Sequence, residues 1–150
     1  MVRILICYAT YSGNTEETAK LIQTRLNSEG METTMYRIGK GPIPDPSGFH
    51  AVVLGSFTWG KGATPGIVKD FVYELGWKPP NVYVFGTGDT QFGGDDLFCK
   101  AADKLAKFYC SPIAPLKIEQ SPRGSQEKHV NNWTEGVIKH CLNFYKKQPY

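Results

Sequence analysis

Thr10-Tyr11-Ser12-Gly13-Asn14-Thr15 follows, after Ala9, on the apolar run Val2 to Tyr8 and opens into a stretch with helical spacing, Thr15 to Glu29. From Ile4 on, the run before it is apolar at consecutive positions, the pattern of a buried strand. In the stretch after it, Thr18, Ala19, Ile22 and Leu26 share one face and Gly30 marks the stop. A helix start leaves its first backbone N–H groups unpaired, and its dipole favours an anion. Hydroxyls, an amide and Gly13 at that point make a phosphate cradle without any Lys or Arg. The same residue types also serve as ordinary helix caps, but five small or polar positions in six after a buried strand favour phosphate. Glu16 and Glu17 suit the dipole on either reading.

Strand and helix patterns alternate through the rest of the chain. Strands are predicted over 32–38, 51–56, 82–85 and 113–118, the last interrupted by proline and so placed at an edge. Helices are predicted over 66–75, with Ile67, Phe71 and Leu75 on one face, over 95–109 and over 127–145. Alternation without repeat or boundary predicts one domain, residues 1–150, of α/β class. It is a three-layer doubly wound parallel sheet with right-handed crossovers. Ligands of such sheets bind beyond the carboxyl ends of the strands, where the strand order reverses.

The 150 residues are 41% hydrophobic and 21% charged, which excludes a disordered chain. No apolar run is long enough to span a bilayer and no export signal is read, so a cytoplasmic protein is expected. Cys7, Cys99, Cys110 and Cys141 lack C-x-x-C or metal-ligand spacing and are expected to be reduced core or helix-face thiols, with no metal. The net charge of +3 is scattered along the chain, which argues against nucleic acid. His50, His129 and His140 fall away from the predicted ligand loops and are expected at the surface.

Two more loops match the first in character. Phe57-Thr58-Trp59-Gly60-Lys61-Gly62 follows the third strand, and Gly86-Thr87-Gly88-Asp89-Thr90-Gln91-Phe92 follows the fourth. Together the three loops resemble those of the short-chain flavodoxins, over nearly the whole chain. The resemblance implies sheet order 2-1-3-4-5 and a monomeric, low-potential one-electron carrier, not an enzyme. Its cofactor would be non-covalent flavin mononucleotide (FMN), and its transient partners a flavodoxin or ferredoxin reductase and acceptor redox enzymes. Thr10, Tyr11, Ser12, Gly13, Asn14 and Thr15 would hold the phosphate. Phe57, Thr58, Trp59, Gly60, Thr87, Gly88, Asp89 and Phe92 would hold the ring, with Trp59 on its inner face and Phe92 on its outer face. A peptide beside Gly60 would turn over on one-electron reduction to accept a hydrogen bond from flavin N5. The Gly93-Gly94-Asp95 stretch looks like a short insertion relative to many members of the family.

Other readings have distinct marks. A phosphorelay receiver needs an acceptor Asp after the third strand, where this chain has Gly55-Ser56. An FMN-dependent quinone reductase would need a substrate pocket and usually a dimer interface. A flavodoxin-like activator of manganese ribonucleotide reductase usually carries a glycine-rich loop in place of Thr-Trp-Gly. A flavin-binding interaction module would accept no electrons from a pyridine-nucleotide-dependent reductase.

Lys61 stands where the family often carries an acidic residue. The fully reduced flavin is anionic, so a cation here eases addition of the second electron, while Asp89, Asp95 and Asp96 act in the opposite sense. A unit charge roughly 8 Å away contributes about 1–2 kcal/mol at an effective dielectric of about 20–40, before salt screening. Lys61→Asp is expected to lower the second one-electron potential by tens of millivolts, more than the first, with the difference narrowing in salt. Potentiometric titration at low and high salt checks it; two unchanged potentials would leave Lys61 without a tuning role.

Overall fold

Three runs of consecutive apolar residues, Ile4–Tyr8, Ala51–Leu54 and Val82–Phe85, are buried throughout, as strands covered on both faces must be. In the computed structural model, which describes residues 1–59, 62–89 and 97–147, they form the three central strands of one parallel sheet. The strands are β1 (Arg3–Tyr8), β2 (Glu32–Arg37), β3 (Ala51–Phe57), β4 (Val82–Gly88) and β5 (Leu116–Glu119). Their order is β2-β1-β3-β4-β5, the order that the resemblance implied. The edge strands β2 and β5 are only partly buried.

Helices α1 (Asn14–Ser28) and α4 (Ser125–Lys147) cover one face, and α2 (Gly66–Leu75) and α3 (Lys100–Phe108) the other. Period-2 alternation divides each strand between them. Ile4, Ile6, Val53, Tyr83 and Phe85 meet Ile22, Leu26, Val130 and Val137. Leu5, Cys7, Val52, Leu54 and Val84 meet Val68, Phe71, Ala102 and Leu105. From β1 the chain moves to β2 on one side, and from β3 it steps through β4 to β5 on the other. The order therefore reverses between β1 and β3, which lie side by side with Tyr8 opposite Gly55.

Several boundaries differ from the sequence reading, each for a local reason. β4 does not stop at Phe85 but runs on to Gly88, because Gly86 still pairs with Ser56 and with Lys117. β5 begins at Leu116 rather than Ile113, since Pro112 and Pro115 offer no N–H to the ladder. The helix predicted from Asp95 is interrupted at Phe98-Cys99, where Cys99 has φ +51°, and α3 starts only at Lys100. Asp95 and Asp96 lie outside the described residues, as do Lys61, Gly93 and Gly94. On α2 the buried positions are Val68 and Phe71, while Ile67 is exposed. On α3, Phe108 is exposed and the neighbouring Tyr109 is buried.

The histidines and cysteines also depart in part from expectation. His129 is exposed, but His140 is half-buried and its Nδ1 lies 2.6 Å from the hydroxyl of the buried Tyr83. His50 Nδ1 accepts a hydrogen bond from the Arg3 amide. Cys7, Cys99 and Cys141 are buried free thiols, whereas Cys110 is exposed beyond the end of α3.

Gly55 carries a packing constraint. A Cβ added there would fall on the ring of the fully buried Phe85. Overpacking of this kind costs typically about 1–3 kcal/mol. Gly55→Ala is expected to lower the urea midpoint correspondingly, while Gly48→Ala, with open space around it, leaves it nearly unchanged.

Candidate functional site

β1 turns into α1 through the Thr10–Gly13 segment, and the local chemistry explains its shape. The Gly13 amide donates to Thr10 Oγ1 at 3.0 Å, which closes the turn. Gly13 then has φ +96°, a conformation open to glycine at little cost, and α1 begins with no side-chain cap. The first backbone N–H groups of α1 are thus left for something outside the helix. Thr15 points inward, and its Oγ1 shares a 2.8 Å hydrogen bond with Thr87 Oγ1 of β4 in a buried position.

After β3 the chain makes a small hairpin. Trp59 and Ala63 exchange backbone hydrogen bonds of 2.8 and 3.0 Å. Thr58 Oγ1 accepts the Ala101 amide at 3.1 Å, so it caps α3, and Lys104 Nζ donates to the Gly62 carbonyl at 3.0 Å. The backbone of this loop is therefore tied to α3 while the Trp59 ring stays 52% exposed. Tyr11 and Phe57 complete an aromatic group with it, the Tyr11–Trp59 centroids lying 5.1 Å apart edge to face.

Gly88 ends β4 beneath Cys99: a Cβ there would sit 3.2 Å from the Cys99 amide nitrogen and 3.3 Å from its sulfur. The Gln120 amide donates to the Gly88 carbonyl at 2.7 Å, and its side chain donates to Asp89 Oδ2 at 3.0 Å. Burial pushes the Cys99 thiol up to about 12, so it stays protonated at neutral pH.

These segments enclose a cleft of about 630 Å³, within the range of small-molecule sites. Tyr11, Ser12, Asn14, Phe57, Thr58, Trp59, Thr87, Gly88 and Asp89 line it, all named from the sequence. Thr10, Gly13 and Thr15 shape it from behind through the contacts above. Gly60 and Phe92 lie outside the described residues, as do Thr90 and Gln91. Leu97, Cys99 and Gln120 also line the cleft and were not read as site residues from the sequence, while Gly62 lines it from the quoted Trp59 loop. Gln120 follows β5, whose end shares the carboxyl edge of the sheet; that rule applied to every strand would have found it. Among the described residues, no group of three or more His, Cys, Asp or Glu could hold a metal ion.

The flavodoxin family profile matches residues 6–110. The chain is 33% identical over 144 residues to "Probable flavodoxin 2" of Bacillus subtilis, covering 89% of this chain and 92% of that one. The chain belongs to the flavodoxin family. As a flavodoxin it is an electron carrier rather than an enzyme, and its cofactor is FMN. The crystal structure of oxidised flavodoxin 2 from Bacillus cereus superposes with a TM-score of 0.80 at 29% identity, covering 93% of this chain and 99% of that one. The fold is also shared with the Fusobacterium nucleatum flavodoxin bound to flavin mononucleotide, at TM-score 0.76 and 16% identity, covering 93% of this chain and 99% of that one.

The residues of this flavodoxin fit that cofactor. An uncapped helix start suits a phosphate, exposed aromatic rings suit a flat apolar ring system, and the end of β4 at Gly88–Asp89 offers backbone to a polar edge. The Thr15–Thr87 bond joins the first of these to the last. Thr87→Val would leave the Thr15 hydroxyl buried without its partner, at a cost of about 1–3 kcal/mol. In a double-mutant cycle read by urea unfolding, the Thr15→Val/Thr87→Val protein is expected to lose less than the sum of the single losses. Additive losses would show that the hydroxyls do not depend on each other.

Proposed function

We propose that this flavodoxin works in the cytoplasm as a single-domain monomer, carrying one electron at a time from a reductase to acceptor enzymes by transient docking. The bound flavin supplies the redox chemistry, accepting and releasing electrons singly, and the chain supplies binding and orientation. The single observation that carries this reading is the meeting, in one cleft, of an uncapped helix start, an exposed aromatic group and the carboxyl end of β4. Among the described residues, no helix is long and apolar enough to cross a membrane.

Each part has a role in this reading. The α1 amides with Ser12 and Asn14 bind the phosphate, and Thr10 holds the turn that aims them. Trp59 stacks on the ring, braced by Phe57 and Tyr11, and the outer face is assigned to Phe92 by the family resemblance alone. Thr58 keeps the Trp59 loop on α3. The backbone at Thr87, Gly88 and Asp89 meets the pyrimidine edge, and Gly60 adjusts to the reduced ring. An exposed Trp and an exposed Tyr in contact, 52% and 75% accessible, form the kind of apolar surface that binding sites present.

The test uses the phosphate as the discriminating group. No protein atom lies within 4 Å of the position of a Gly13 Cβ, so Gly13→Val strains the turn first through its φ of +96°. Strain of roughly 1–2 kcal/mol at a β-branched residue would shift the turn and its amides. The variant is expected to bind FMN at least about tenfold more weakly, which corresponds to about 1.4 kcal/mol, with riboflavin affinity nearly unchanged. Equal loss for both flavins in a fluorescence-quenching titration would move the phosphate elsewhere.

A further inference from the structure

Helix α3 places three lysines, Lys100, Lys104 and Lys107, at spacings of four and three, the positions that share one helix face. All three are exposed. Like charges at these spacings disfavour the helix by a few tenths of a kcal/mol; Lys107 in the last turn suits the helix dipole, whereas Lys100 in the first turn opposes it. Lys104 donates to the Gly62 carbonyl, a neutral partner. No ion pair joins Lys100, Lys104 or Lys107 to a carboxylate among the described residues.

Among the described residues, most carboxylates nearby are otherwise engaged. Asp103 of the same helix pairs with Lys117 at 2.7 Å. In the first turn of α1, Glu16 pairs with Lys20 at 3.3 Å and Glu17 with Arg123 at 3.1 Å, and in the cleft Asp89 bonds to Gln120. Asp70 and Glu74 of α2 line a separate groove with Tyr36 and Ile38. Lys78 adds a further cation at the far end of α3, 4.3 Å over the Phe108 ring. The stripe also starts at the cleft. Leu97 and Cys99 line it, and the Lys100 side chain packs on Gly62, another of its lining residues.

We infer that the Lys100–Lys104–Lys107 face of α3 is the docking surface for the redox partner, and that this partner presents carboxylates. The inference rests on the carrier reading above and adds the sign and the place of the contact. Unpaired surface cations beside the electron's exit raise the encounter rate with an acidic surface and repel a basic one, with an effect that salt removes. A docked partner here lies next to the flavin cleft, so the electron leaves by a short path.

Cytochrome c in its native basic form and in its succinylated acidic form serves as the probe. One electron leaves the reduced flavin and converts ferric haem to ferrous, followed by stopped-flow absorbance. FMN content and reduction by dithionite are measured first for each protein. At low salt, Lys100→Glu/Lys107→Glu is expected to slow the reaction with the succinylated form at least about fivefold and to speed that with the native form, both effects fading at high salt. Lys139→Glu/Lys146→Glu makes the same change in net charge on exposed positions of α4, across the sheet. It is expected to change either rate less than about twofold. Equal effects of the two double variants, or no effect of the first, would overturn the docking face while leaving the carrier reading in place. A wild-type protein that takes up no FMN would overturn both.

Discussion

How close α3 can come to β4 determines the shape of the ligand end of this molecule. On that face of β4 the side chains beyond Val84 are absent: Gly86 and Gly88 stand there. A Cβ at Gly86 would lie 2.8 Å from the Ala102 Cβ, and one at Gly88 within 3.3 Å of the Cys99 amide nitrogen and sulfur. These glycines let the first turn of α3 rest on the strand backbone. Only at that distance can the Ala101 amide reach Thr58 and the Lys104 ammonium reach the Gly62 carbonyl. The Trp59 loop, which has little apolar anchorage of its own, is thereby fixed by a helix that follows it in sequence by some forty residues.

The other face of the sheet meets the same end by a different device. Gly55 makes room for the Phe85 ring, and one step further along β4 Thr87 hydrogen-bonds Thr15 in the first turn of α1. Both helices that approach the cleft are thus tied to the last residues of β4, α1 by a buried hydroxyl pair and α3 by glycine contact. A buried pair of neutral hydroxyls holds geometry at a desolvation cost far below that of a buried ion pair. The cleft can therefore be rigid at its base while its aromatic rim remains open to solvent.

The sequence carried the architecture because burial on two faces leaves an unambiguous mark. Val2 to Tyr8, Ala51 to Ser56 and Val82 to Phe85 could hardly be anything but inner strands, and the loops at their carboxyl ends were then the ones to inspect. What it hid were features set by contacts between distant segments. Gly86 read as the end of a strand, when it is a strand residue made small for α3. The Cys99 turn that interrupts the predicted 95–109 helix has a partner, Gly88, eleven residues earlier and in another element. Ile67 and Phe108 fit an apolar helical face by spacing, yet a short helix can rotate by one position, and the packing chose Val68 and Tyr109 instead. Thr58 was named as a ligand-loop residue, but its hydroxyl is used as a helix cap. Gln120 carried no composition signal at all, being one polar residue in a polar loop.

Charge at the cleft follows a consistent logic. A phosphate site made only of neutral donors depends on the absence of uncompensated negative charge close by, since a carboxylate within several ångströms would oppose the dianion directly. Glu16 and Glu17 sit in the first turn of α1, where the helix dipole favours acids and where the phosphate would bind. Each is matched by a cation, Lys20 from the next turn and Arg123 from the segment before α4. Exposed pairs of this kind add little to stability, so their value here lies in the field they leave behind. With both acids compensated, the neutral donors of the α1 start can hold a doubly charged group without an opposing field from the first turn.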